Sequence, residues 1–262
     1  VSERSLSAPT WLGGLLAIAG RELRSAFETS MGWLVLTGWL GVAGTLWVSM
    51  LAHYVTVGRD QVFDPYAAQH LNPTDHLLGP WLANLGVVLL VVCPALAMRL
   101  YAEELRRHSM ELLLTAPVSS AQIVLGKWLG ALGVVGVLLG ATLWMPVSLA
   151  WWTAPDWGAL AAGYLGLALV ASAVLGVGSV ASAATDSPVV ALVLTFAVAL
   201  CLWVAGWINP DPTSLPSQLS LSAHLQDLVV GGVRASDVSY YALLTGWCLL
   251  ATHSRVESWR YL

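Results

Sequence analysis

Six stretches of this chain contain no Asp, Glu, Lys or Arg: residues 29–58, 76–98, 128–155, 157–185, 187–210 and 238–254. A helix that crosses a bilayer needs about 17–25 predominantly apolar residues, so each run reaches spanning length, the last one barely. In hydrocarbon only helices and closed barrels satisfy every backbone polar group, and barrel strands read as short alternating segments rather than unbroken runs. The chain is therefore expected to be an all-α membrane protein with about six transmembrane helices, at 31–57, 81–100, 122–152, 158–184, 188–208 and 237–254. Composition agrees, since 10% of residues are charged against about a quarter in a soluble domain. Cys93, Cys201 and Cys248 fall inside these runs, where a thiol acts as a small apolar group, and no spacing among them resembles a metal site.

Residues 1–30 precede the first span. Within WLGGLLAIAG and its continuation, Leu12, Leu15, Leu16, Ala19, Leu23, Ala26 and Phe27 recur at helical spacing while Arg21, Arg24, Ser25 and Glu28 take the other side. This pattern predicts an interfacial (elbow) helix rather than the apolar core of a cleaved signal. Arg4, Arg21 and Arg24 lie before span one, Arg99, Arg106, Arg107 and Lys127 between spans two and three, and Arg255 and Arg260 after span six, which is nine of the eleven basic residues. With an even number of spans these regions share one side, and the positive-inside rule makes it the cytoplasm. Both termini are thus expected on that side. Tryptophans 33, 81, 151, 152, 157 and 207 sit near predicted span ends, as interfacial anchors do. On the outer side, residues 58–80 carry broken structure around Pro65, Pro73 and Pro80, and the 209–236 loop carries a short helix with Leu221, Leu225, Leu228 and Val229 on one face.

The feature out of keeping with so much apolar sequence is MRLYAEELRRHSMELLLTAPVSS, residues 98–120. Glu103 with Arg107 and Glu104 with His108 stand four apart, in the order that supports a helix, and Leu105, Leu112 and Leu113 give it an apolar side. Pro117 breaks the chain before Ser119 and Gln122, a capping-box signature for the next helix. An amphipathic helix at 101–118 between spans two and three is the natural handle for a cytoplasmic partner. Further on, Gly126, Gly130, Gly133, Gly136 and Gly140 line span three at spacings that permit close helix packing, within the chain or between copies. No G-x-x-x-x-G-K-[ST] phosphate loop occurs, so any ATP that drives this protein binds another chain.

The run MRLYAEELRRHSMELLLTAPVSSAQIVLGKWLGA resembles the segment after the second span in ABC-2 type transporter permeases, specifically the gliding-motility-associated branch. Tyr101, Ala102, Glu103, Glu104, Arg106, Glu111, Leu112, Leu113, Leu114, Thr115, Pro117, Val118, Ser119, Gly126 and Lys127 match that pattern, whereas His108 and Ser109 stand where Gly and Thr are expected. HLQDLVVGGVRASDVSYYALL is similar to the branch's outer helix and entry to the last span, without its usual acidic residue after Gly-Val. The resemblance implies a permease subunit of an ABC exporter. Its coupling helix, with Glu103, Glu104, Arg106, Arg107, Glu111, Leu112 and Leu113 as the coupling surface, would dock on an ATP-binding subunit present in two copies. It further implies a second permease copy or a paralogue, with room for an auxiliary periplasmic or membrane subunit. ATP and Mg would belong to the ATPase, this chain holding no cofactor, metal or nucleic acid.

Two other classes compete. EELRRH places Glu103, Glu104 and His108 in an order close to the Glu-Glu-x-x-x-Arg motif of intramembrane metalloproteases, but the final Arg is absent and the remaining histidines lie at or outside span ends. An ion-coupled transporter would carry ionisable residues deep in the membrane, and here they cluster at span ends. A non-transporting scaffold subunit is the remaining alternative.

Overall fold

A computed structural model describes residues 11–60, 72–106, 119–153, 155–209, 211 and 214–259. Every regular element among them is helical. Helix α1 (Trp11–Glu28) is followed by α2 (Ser30–Asp60), a π-helical turn (Thr74–Leu78), α3 (Gly79–Ala97), a short α4 (Ala102–Arg106) and α5 (Ser120–Thr142). Then come α6 (Trp144–Leu149), α7 (Trp157–Ala184), α8 (Pro188–Ile208), the short α9 (Leu215–Gln218) and α10 (Leu221–Val229), and finally α11 (Ala235–Ser258).

Among the described residues, five segments are long and apolar enough to cross a membrane: Gly32–Arg59, Thr74–Arg106, Ser120–Leu149, Trp157–Ala184 and Pro188–Ile208. They coincide with the first five predicted runs. The predicted span over 122–152 is two helices, because Pro146 has no N–H to offer the Thr142 carbonyl and the chain passes from α5 to α6 through Leu143. The start of α5 is the capping box foreseen from Ser119 and Gln122: Gln122 N donates to Ser119 Oγ at 3.2 Å, and Ser119 N to Gln122 Oε1 at 2.7 Å.

Side-chain pairings give the helix directions. Gly163 faces Leu82 and Gly178 faces Ala97, so α3 and α7 run the same way. Trp128 Nε1 donates to Ser172 O, and Thr142 Oγ1 meets Tyr164 OH, so α5 opposes α7. Thr195 lies against Gly178 and Trp203 against Gly86, so α8 opposes α3. On α11, Thr245 pairs with Ser172 at 3.0 Å and Thr252 with Ser179 at 3.0 Å, seven residues apart on both helices. Thus α11 runs parallel to α7 and beside it. At 24 residues it is long enough to cross at about 1.5 Å per residue, yet its composition keeps it out of the five. Asp237, His253, Arg255 and Glu257, with Tyr240 and Tyr241, supply most of that polarity, while Thr245, Thr252 and Ser179 are buried in the hydroxyl ladder, which acts as interhelical glue.

The core is the seam between α3, α7 and α8, filled by Leu82, Leu85, Leu89, Leu167, Val170, Val174 and Trp203. At the end away from the charged segment, α10 buries Leu221, Leu225, Leu228 and Val229, the face expected from the sequence, and drives Leu225 against Gly86 and Gly166. It therefore plugs the bundle rather than lying on top of it. Trp33, Trp151, Trp152, Trp157 and Trp207 are exposed, as anchors should be. Trp81 is not: it is fully buried, edge-on to Trp47, with its indole N–H on the Ala43 carbonyl at 3.2 Å. A buried indole needs an acceptor, and α2 supplies it.

Candidate coupling site

The segment that follows α3 turns sharply at Met98–Tyr101 before α4 begins. Helix starts leave N–H groups without intrahelical partners, and here Ser182, near the end of α7, takes them. Its hydroxyl oxygen accepts from Tyr101 N and Ala102 N, both at 3.0 Å, and its O–H donates to Met98 O at 3.3 Å. One buried serine thus fixes the whole turn to α7.

Beside that turn lies Lys127, in the second turn of α5 and only 1% exposed. An ammonium carries three donors and no acceptor. Lys127 Nζ finds three oxygens: Leu100 O at 2.7 Å, Glu104 Oε1 at 2.8 Å and Glu22 Oε1 at 3.4 Å. It also sits 5.4 Å from the centre of the Tyr101 ring, within cation–π reach. Arg21 completes the group, 3.1 Å from Glu22 Oε1 and 3.8 Å from Glu104 Oε1. Two cations and two carboxylates balance, so a buried charge is tolerated because it is paired and fully hydrogen-bonded. The cluster joins three segments distant in sequence: α1 through Arg21 and Glu22, the α3–α4 turn through Leu100 and Glu104, and α5 through Lys127.

Glu22 reaches Lys127 because α1 packs very close to α5. A Cβ added at Gly126 would lie 3.2 Å from Leu15 O, and one at Gly130 would lie 3.0 Å from Ala19 O, so the two backbones are nearly in contact. The pairings step by four on both helices, from Gly14 against Gln122 to Glu22 against Gly130, which aligns α1 along the first turns of α5. Gln122 adds a tie, its side-chain amide donating to Trp11 O at 2.9 Å. Helix α1 is therefore docked on the bundle, with Trp11, Leu12 and Leu16 left exposed on its outward side.

A family model described as ABC-2 family transporter protein matches residues 20–227. The chain belongs to the ABC-2 transporter family. Comparison with curated proteins gives no match. As an ABC-2 permease the chain is the multi-pass membrane subunit of an ABC transporter, a kind of subunit that pairs with an ABC ATP-binding subunit. Arg21, Glu22, Glu104, Lys127 and Ser182 all lie inside the matched region, whereas α11 lies beyond it.

The sequence-predicted residues of the ABC-2 permease divide. Glu104 turns inward to Lys127, Glu103 is partly buried, and Arg106 is exposed. Arg107, Glu111, Leu112 and Leu113 lie outside the described residues, as does His108, so the four-apart pairs with Glu103 and Glu104 do too. Gly126, Gly130 and Gly133 pack against α1, whereas a Cβ at Gly136 or Gly140 would meet nothing within 4 Å. Among the described residues no group of three or more His, Cys, Asp or Glu side chains could hold a metal. Glu22, Ser182 and the inward role of Lys127 escaped the sequence reading. One signal was available: Glu22 shares a helix face with the buried Leu15 and Ile18, and a carboxylate on a buried stripe needs a cation.

Proposed function

We propose that this ABC-2 permease couples ATP hydrolysis by a separate cytoplasmic ATPase to export, or to mechanical work, across the bacterial cytoplasmic membrane. It crosses six times with both ends in the cytoplasm, and segment 101–118 is its coupling helix. ATP and Mg bind the ATPase, two copies of which serve a permease dimer or a pair of paralogues, with room for an auxiliary subunit. Membership of the gliding-motility-associated branch rests on the motif at 98–131 and, more weakly, on the run at 224–244. The observation that carries the reading is the Lys127 cluster. A push on α4 from below has no slack to absorb it, because Glu104 and Leu100 are held by Lys127 and the turn is held by Ser182. Motion delivered there passes at once to α1, α5 and α7.

Division of labour within α4 follows: Glu104 transmits and the exposed Arg106 docks. Arg106→Glu should leave membrane insertion and thermal stability unchanged while weakening capture of the ATPase about tenfold or more, that is by about 1.4 kcal/mol or more. Unchanged affinity in a pull-down with the cognate ATPase would remove Arg106 from the interface. The topology has its own check. A reporter fused downstream of α11 should be cytoplasmic and one inserted beside Ser217 should be outside; a reporter after α11 on the outer side would mean five crossings, not six.

A further inference from the structure

At the end of the bundle opposite Lys127, α10 and α11 form a hairpin closed by a second polar cluster. The turn between them uses Gly231 at φ 94°, where a side chain would be strained and would strike Ala159, and Gly232 N donates to Asp227 O at 2.8 Å. His224 of α10 sits inside the hairpin. Its Nδ1 is 2.8 Å from Oδ1 of Asp237, a residue only 3% exposed, and its Nε2 is 3.1 Å from the backbone carbonyl of Gln218. The Tyr240 ring stacks on the imidazole at 4.2 Å, and Tyr241 meets it edge-on at 6.3 Å. Both phenols donate back to the loop and α10, Tyr240 to Leu219 O at 2.7 Å and Tyr241 to Leu221 O at 2.8 Å.

Proton counting makes this cluster more than packing. A neutral imidazole has one N–H and one lone pair, but here both ring nitrogens face acceptors, a carboxyl and a carbonyl. Both contacts are hydrogen bonds only when His224 and Asp237 together hold two protons. With one proton, a ring lone pair is left against an oxygen lone pair. We propose that His224 is a positioning residue that clamps α9 and α10 onto α11 by taking up a proton at the outer end of the permease, and that the clamp loosens when the proton leaves. Control of the exit by this clamp rests on the transport reading above; the proton linkage itself does not.

Other titratable groups nearby are already engaged. On the hairpin, Asp227 pairs with Arg234, and Ser236 Oγ donates to Asp237 Oδ1 at 3.4 Å. On α7, Asp156 caps its own helix through Gly158 N at 2.8 Å, and Tyr164 pairs with Thr142. The described parts of α3 and α8 carry only Cys93 and Cys201 as titratable groups. The proton count is therefore set by His224 and Asp237. The clamped form holds one proton more than a released neutral histidine and ionised aspartate, so low pH favours it and rising pH removes it, by up to about tenfold per pH unit.

The test is hydrogen exchange on the full permease in nanodiscs, without ATPase, from pH 5.5 to 8.5, with rates corrected for the intrinsic effect of pH. Protection of the α10 amides, residues 221–229, should fall about tenfold or more across that range in the wild type. It should stay flat in His224→Gln, which keeps one amide donor but cannot titrate, and in Asp237→Asn. A flat wild-type profile, or an undiminished slope in His224→Gln, would overturn the clamp. Should the variants fail to insert, NMR of the wild-type His224 ring nitrogens and Asp237 carboxyl at pH 5.5 decides: two protons on the pair support it and a single proton overturns it. Coupling to the ATPase enters neither readout, so the clamp and the coupling site stand or fall separately.

Discussion

Lys127→Met is expected to destabilise the permease by about 3–5 kcal/mol, the usual cost of removing one partner from a buried ion pair. Methionine fills similar volume, so little of the loss is packing. What remains after the change is Glu22 and Glu104, both on the former lysine site at 3.4 and 2.8 Å, with only the half-exposed Arg21 between them. The Leu100 carbonyl loses its 2.7 Å donor as well. Lys127→Arg should recover part of the stability but not all, since a planar guanidinium cannot aim donors at three oxygens gathered around one ammonium. Unfolding in mixed micelles, followed by tryptophan fluorescence, measures both. A loss below about 1 kcal/mol for Lys127→Met, the range of exposed pairs, would mean that the cluster is a solvated decoration.

Gly130→Leu is expected to have a comparable effect by another route. A Cβ there would lie 2.5 Å from Glu22 Cβ and 3.0 Å from Ala19 O, and the latter is backbone that cannot swing aside. Overpacking typically costs about 1–3 kcal/mol, and displacing α1 would also carry Glu22 away from Lys127. Gly140→Leu is the matched control, because nothing lies within 4 Å of its Cβ position. Its stability should stay within about 0.5 kcal/mol of wild type. If cross-linking showed that Gly140→Leu prevents pairing of two permease copies while leaving the monomer intact, that stretch of α5 would be the intermolecular face that the glycine spacing allows. Equal losses for the two substitutions would contradict the close α1–α5 packing described here.

The helical class and most span limits were legible because both follow from local composition. α8 was expected at 188–208 and is Pro188–Ile208; α7 was expected at 158–184 and is Trp157–Ala184. The capping box at Ser119 and the apolar face of α10 were legible for the same reason, each being written within one or two turns. Illegible features are those made by distance in sequence. Lys127 meets Glu22 across 105 positions and Ser182 meets Tyr101 across 81, and no window sees both partners. Glu104 shows the consequence: nothing in its own stretch of sequence announces that its carboxylate goes to Lys127, 23 positions further on. Trp81 fails on a different ground: its place near a span end suggested an interfacial anchor, but its indole N–H is matched by the Ala43 carbonyl inside the bundle.

If force enters at α4 and passes through Lys127, binding and coupling separate at this residue. The direct measurement is a double-mutant cycle on Glu104→Gln and Lys127→Met in nanodiscs, with two readouts: affinity for the cognate ATPase, and the ratio of ATP turnover with permease to turnover by the ATPase alone. Affinity should stay near wild type in all three variants. The stimulation ratio should collapse about tenfold or more in each single variant, with little further loss in the double, because the two residues act as one unit. Normal stimulation in Lys127→Met with the ATPase still bound would contradict transmission through Lys127.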